Sequence, residues 1–246
     1  MQGAAGNIVS PDDSANYLLF LALLRSSLPP SALITAAVAV TPFASSSPPT
    51  PLTSVAAFSA VLDYILLMDY DVWGASDSNP GPNAPLSDAC GNSTQPNGSA
   101  VGAIRAWTTA GFEKGKILLG VPSYGYVQNS AATTLRQRRG PVPLSPEEPA
   151  DILSLAATAP SPASHRLTGI EGSQIQFVDL VKQGVVPRSP IDGTSDWASE
   201  GGFQRYWDAC SSTVCLLFSV IFDFLITAVR CVAFSRVVVA ETAGDI

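Results

Sequence analysis

Between Asp12 and Leu28 the apolar positions Tyr17, Leu18, Phe20, Leu21, Leu24 and Leu28 recur with near-helical spacing, and Asp12 or Asp13 stands where a helix cap belongs. Pro29-Pro30 ends that helix. The next segment, 32–40, is a continuous apolar run rich in β-branched residues, the pattern of a strand buried on both faces. A Ser/Pro loop over 44–50 precedes a short helix near 52–62, and Tyr64-Ile-Leu-Leu-Met-Asp-Tyr70 repeats the buried-strand pattern with a polar end. A Gly/Pro/Asn-rich loop spans 74–98. Residues 100–111 then predict a helix carrying Trp107, and 116–122 a third strand. Apolar strands alternating with helices predict βα units built on a parallel sheet.

Beyond residue 127 the pattern weakens. Residues 136–149 read as exposed, Pro-rich loop, and 175–182 as a short helix stopped by Gly184. No internal repeat is visible. After Thr213 the character changes: Val214 to Val229 is nearly all apolar, and Val237-Val-Val-Ala240 continues it. A membrane helix needs about 20 apolar residues. This run has 16, with Asp223 inside and Arg230 just after, so a buried helix or a pair of strands is the simpler expectation.

Charge narrows the function. Thirteen basic against 20 acidic residues give −7, which argues against nucleic-acid binding. Apolar residues make up 46%, enough for a core. Cys90, Cys210, Cys215 and Cys231 show no CxxC spacing, and with His165 as the one histidine no metal or other cofactor is expected. Asn92-Ser93-Thr94 and Asn97-Gly98-Ser99 are glycosylation sequons, so Asn92 and Asn97 are candidate modification sites. The stretch Met1 to Asn7 has no basic region followed by an apolar one, and no signal peptide is expected in this chain.

The segment Met68-Asp-Tyr-Asp-Val-Trp-Gly74 resembles the M-x-Y-D-x-x-G element of glycoside hydrolase family 18. Other pieces agree in order. Residues 11–21 are similar to the helix after the catalytic strand of fungal-type chitinases, Leu33-Ile-Thr-Ala-Ala-Val38 to the fifth barrel strand, and 116–125 to the seventh. Residues 201–211 resemble a stretch ahead of the last barrel strand. The resemblance implies an α/β fold: an incomplete (β/α)8 TIM barrel retaining about strands five to seven, with an irregular C-terminal part. The divisions it implies are 1–126 as partial catalytic barrel, 127–212 as loop-rich insertion and connection, and 213–246 as a divergent, non-native apolar tail. A retained intron would account for that tail, and an internal start at Met1 for a barrel truncated at both ends.

Family members cleave β-1,4-linked N-acetylglucosamine polymers with substrate assistance. A glutamic acid protonates the leaving oxygen while the substrate's acetamide carbonyl attacks the anomeric carbon. The protein must hold the acetamide and stabilise the positive oxazolinium. The resemblance assigns the acetamide hydrogen bond to Tyr70, sugar contact to Asp71, a pocket wall to Met68, and ring faces to Trp73 and Tyr124. Each also has a structural reading: Met68 as core, Asp71 as a loop cap, the aromatics as half-buried surface.

The family's acid lies in a D-x-x-D-x-D-x-E motif, and that spacing occurs nowhere in the 246 residues. Asp63, Asp69 and Asp71 come nearest, with no glutamate in the four positions that follow. Losing a general acid forfeits roughly 10²–10⁴ in rate. Chitin or chito-oligosaccharide is therefore the expected partner, nucleic acid and membrane are not, and extracellular location follows from the parent family. The rival readings are a non-catalytic, lectin-like chitin binder and a membrane-attached protein using 214–240.

Overall fold

The computed structural model describes residues 10–44, 50–74, 81–130, 167–169, 174–185, 204–222 and 225–235. The expected loop at 136–149 lies outside them. By their contacts the residues form two compact units, 1–69 with 97–120 and 70–96 with 121–246.

The first unit alternates as its sequence predicts: α1 (Asp13–Ser27), β1 (Thr35–Val38), α2 (Ala56–Val61), β2 (Tyr64–Leu67), α3 (Ala100–Thr109), a 3-10 turn (Lys114–Lys116) and β3 (Ile117–Leu119). The strands form a parallel sheet ordered β1-β2-β3, with Thr35 beside Tyr64 and Ile65 beside Ile117. One face, with Ala36, Val38, Ile65 and Leu67, is buried against the helices. Tyr64, Leu66 and Leu118, on the other face, stay partly exposed. Period two on β1 and β2 therefore replaces the two-sided burial expected of both strands.

An aromatic nest centres this core. Phe43 lies 4.4 Å from Phe58 and 5.1 Å from Trp107, the latter edge-on, and Trp107 meets Phe112 at 5.7 Å. Trp107 is fully buried because its indole N–H finds the Ala39 carbonyl at 3.1 Å, so its polar handle is not stranded. Ser99 caps α3, its hydroxyl accepting the Gly102 N–H at 3.2 Å, and Gly111 at φ +91° turns the chain out. Asp12 occupies the cap position of α1 without a side-chain cap, while Asp13 accepts the Ser10 N–H at 3.0 Å. The α1 arginine, Arg25, donates to the carbonyls of Ala32 and Val61 and pairs with Asp63 at 2.5 Å. Asp63 also accepts the Ile34 N–H, and that bond, with Arg25, holds its carboxyl below the usual range.

The second unit holds a five-stranded antiparallel sheet ordered β5-β4-β8-β7-β6. Its strands are β4 (Tyr124–Ser130), β5 (Gln174–Gln176), β6 (Gln204–Asp208), β7 (Thr213–Phe222) and β8 (Leu225–Ser235), with helix α4 (Phe177–Lys182) after β5. Helix α4 takes 177–182 of the helix expected over 175–182, while Ile175 and Gln176 join β5 instead. The C-terminal part departs from the expected irregularity. Strands β7 and β8 pair antiparallel, Leu216 opposite Val232, and β8 continues onto β4, Val127 opposite Val232. A near-unbroken apolar run carries no period, which is why strand and helix looked alike there. Among the described residues no helix is long and apolar enough to cross a membrane. Cys90 and Cys210 form a disulfide across 120 residues.

Candidate functional site

The chain leaves β2 through Met68 and Asp69, and two residues later Asp71 adopts φ +60°. A left-handed backbone is uncommon outside glycine, and Asp and Asn are among the side chains that accept it best. Asn83 holds the turn. Its side-chain oxygen accepts the Asp71 N–H at 2.8 Å, its amide donates to the Tyr124 carbonyl at 3.0 Å, and its backbone carbonyl accepts the Val72 N–H at 3.0 Å. At 1% exposure Asn83 is a bracket rather than a ligand.

Asp71 itself is exposed. Its Oδ1 accepts two phenolic hydrogen bonds, from Tyr124 at 2.6 Å and Tyr126 at 2.7 Å. Both tyrosines project from one face of β4, since residues two apart on a strand share a side. The Tyr126 hydroxyl in turn accepts from the Gln174 amide at 2.9 Å, and Gln174 sits directly opposite Tyr126 on β5. Tyr70 packs edge-on against Tyr124 at 6.4 Å, and Tyr124 stands perpendicular to Tyr126 at 5.9 Å. Burial, then the bond to the Asp71 carboxylate, pushes the Tyr124 and Tyr126 hydroxyls above their ordinary range. They stay neutral donors at physiological pH.

Of the residues singled out from sequence, Tyr70, Asp71 and Tyr124 thus come together. Trp73 departs from the ring face expected of it. It is 2% exposed, and a Cβ at Gly81 would lie 2.3 Å from its Cγ, so the missing side chain there lets the indole bury itself as core. Met68 belongs to the first unit, 37% exposed, its N–H bonded to the Val38 carbonyl. Asn92 is half-buried and Asn97 exposed. Tyr126, Gln174 and Asn83 escaped sequence reading. The Tyr124-Gly-Tyr126 alternation was the available signal for Tyr126; Asn83 offered none.

Asp69 is a separate feature of the first unit. It is 3% exposed, accepts the Ala100 N–H at the start of α3, and leaves its Oδ1 without a partner. Burial pushes its carboxyl up to about 7. No group of three or more potential metal ligands occurs among the described residues.

A tyrosine-carboxylate turn at the carboxyl end of a parallel strand, in a chain of βα units, invites comparison with known proteins. The profile of the glycosyl hydrolases family 18 matches residues 3–209. The chain belongs to glycosyl hydrolase family 18. Among this family 18 chain's relatives, a chitinase-like effector of Moniliophthora roreri is 43% identical over 127 residues, which is 51% of this chain and 30% of that protein. A chitinase-like effector of Moniliophthora perniciosa is 38% identical over 50% of this chain and 28% of its own length. The match thus spans less than a third of these curated relatives. A chitinase from Rhizomucor miehei superposes with a TM-score of 0.63 at 26% identity, covering 95% of this chain and 58% of that one. A mutant class V chitinase from Nicotiana tobaccum, in complex with NAG4, has a TM-score of 0.56 at 18% identity, covering 94% and 55%. The family 18 fold is accordingly α/β and TIM-barrel-like.

Proposed function

We propose that this family 18 chain binds β-1,4-linked N-acetylglucosamine polymers without cleaving them. The observation that carries the reading is the exposed Asp71 carboxylate, fixed by Tyr124 and Tyr126 and walled by Tyr70. Carbohydrate is recognised by planar aromatic faces and by oriented carboxylate and hydroxyl groups, and this cluster supplies both on a strand and a bracketed turn. The complex of a structural neighbour with NAG4 and the effector names of the relatives favour the same ligand class without requiring turnover. Tyr70 meets the acetamide and Asp71 the sugar; Tyr124 orients Asp71 and lends an edge.

Silence as a hydrolase follows from the missing D-x-x-D-x-D-x-E, because no other glutamate has the required carboxylate neighbours. In this proposal β1, β2 and β3 correspond to barrel strands five to seven of an incomplete barrel. Asn92 and Asn97, with the Cys90–Cys210 disulfide, suit an extracellular protein. The test is a pair of assays on the purified chain. Retention on insoluble chitin, with release by soluble chito-oligosaccharide, is expected together with no turnover of chromogenic chitobiosides above a blank. Failure to bind overturns the recognition reading, and saturable turnover overturns the silence.

A further inference from the structure

The hydrogen bonds that run from β5 to Asp71 have one direction. The Gln174 amide donates to the Tyr126 hydroxyl at 2.9 Å, and that hydroxyl donates to Asp71 Oδ1 at 2.7 Å, beside the Tyr124 hydroxyl at 2.6 Å. A phenol has one proton to give, and a charged carboxylate is a stronger acceptor than an amide carbonyl. With the Tyr126 proton on Asp71, the Tyr126 oxygen can only accept, so position 174 must present a donor. Glutamine meets that demand because its amide carries two donor hydrogens. Strand pairing sets the reach: Gln174 lies directly opposite Tyr126, where facing side chains interact. The Asp71 backbone is held separately, by Asn83. Both phenols bond Oδ1, and among the described residues no hydrogen bond goes to Oδ2.

We propose that Gln174 is a positioning residue for the sugar contact: by donating to Tyr126 it keeps that hydroxyl's proton on Asp71 Oδ1, leaving Oδ2 as the acceptor offered to the sugar. This rests on the carbohydrate-binding reading above and deepens it. Gln174 acts through Tyr126 and itself touches no ligand. The identity of residue 174 then matters through its polarity rather than its size. A carboxylate there can only accept, so it competes with Asp71 for the single phenolic proton. Asp71 would keep Tyr124 as its one side-chain donor and lose the second of its two props.

Calorimetric titration of the full chain with the N-acetylglucosamine tetramer at pH 7.5 tests this, on variants with native near-UV circular dichroism. Gln174→Met keeps the length and leaves the phenolic proton on Asp71, and it weakens binding about twofold. Gln174→Glu, nearly isosteric with the parent, weakens it about tenfold, because a hydrogen bond to a charged group is lost. Tyr126→Phe loses the same bond and about as much affinity, and adding Gln174→Glu to it costs little more, about twofold at most. A merely structural role would let the two losses add. Binding by Gln174→Glu as tight as by Gln174→Met overturns the proposal and leaves polymer binding standing. So does a Gln174→Glu loss that persists in full beside Tyr126→Phe. No binding by the parent chain overturns both. Tyrosinate absorbance reads the polarity without ligand: a donor at 174 favours the phenolate, so Gln174→Met makes Tyr126 titrate later than in the parent. Earlier titration overturns the donor role even where Gln174→Glu fails to fold.

Discussion

Replacing Asp69 by Asn should give a stability difference from the parent chain that changes sign with pH. Asp69 is 3% exposed, and its carboxyl titrates near 7 when folded against 3.8 for the ordinary group. Between about pH 4 and pH 7 the folded chain therefore holds a proton that the unfolded chain has released. Stability falls as pH rises through that window and levels off above it. Three units correspond to roughly 4 kcal/mol, an upper figure on the order of what one buried carboxylate supplies. Asparagine keeps the acceptor for the Ala100 N–H but buries two donors, a cost of about 1–3 kcal/mol. The variant is thus less stable than the parent by up to about 2 kcal/mol at pH 4.5 and more stable by about 1–3 kcal/mol at pH 7.5. Asp63 works in the opposite sense, its carboxyl lowered by Ile34 and Arg25, but it acts below pH 4 and is common to both proteins. Equilibrium urea unfolding at both pH values measures the difference. Parallel pH profiles for the two proteins would refute the reasoning.

Tyrosinate absorbance at 295 nm during alkaline titration should show a late-titrating pair that moves to lower pH in Asp71→Asn, since burial and the carboxylate bond raise both phenols; an unchanged curve would separate those hydroxyls from Asp71. Trp107→Ala should cost about 3–5 kcal/mol in urea unfolding, because it empties the aromatic nest and strands the Ala39 carbonyl; a loss below 1 kcal/mol would show the nest collapsing to refill it. Reducing Cys90–Cys210, which closes a loop of 120 residues, should lower stability by up to about 5 kcal/mol, with an unchanged urea midpoint as the contrary result.

The βα half of the molecule was legible because each strand core is a short apolar run bounded by Pro, Gly or polar residues. Ala36 and Val38, then Ile65 and Leu67, announce β1 and β2 whatever lies around them. The antiparallel sheet was not, because β4 mixes Tyr, Gly and Gln without a clear period, and the tail is apolar at every position from Val214 to Phe222 except Ser219. In the site, Tyr70 and Asp71 are adjacent and carry a motif. Their supports come from far along the chain: Asn83 is 12 residues from Asp71, Tyr126 is 55, and Gln174 is 48 beyond Tyr126. Local pattern cannot report a bond closed by tertiary packing. Trp73 erred in the other direction, since an aromatic next to a recognition motif looks like a platform until the glycine that swallows it is located.

Strand β4 changes partner part-way along. Tyr124 through Tyr126 are stitched to β5, and from Val127 onward the same strand is stitched to β8. Tyr124 and Tyr126 thus stand on a plank clamped at its far end by the segment that looked most foreign to the rest. Whatever supplied residues 225–235, trimming or rewriting them would loosen the footing of Tyr124 and Tyr126 without touching either side chain.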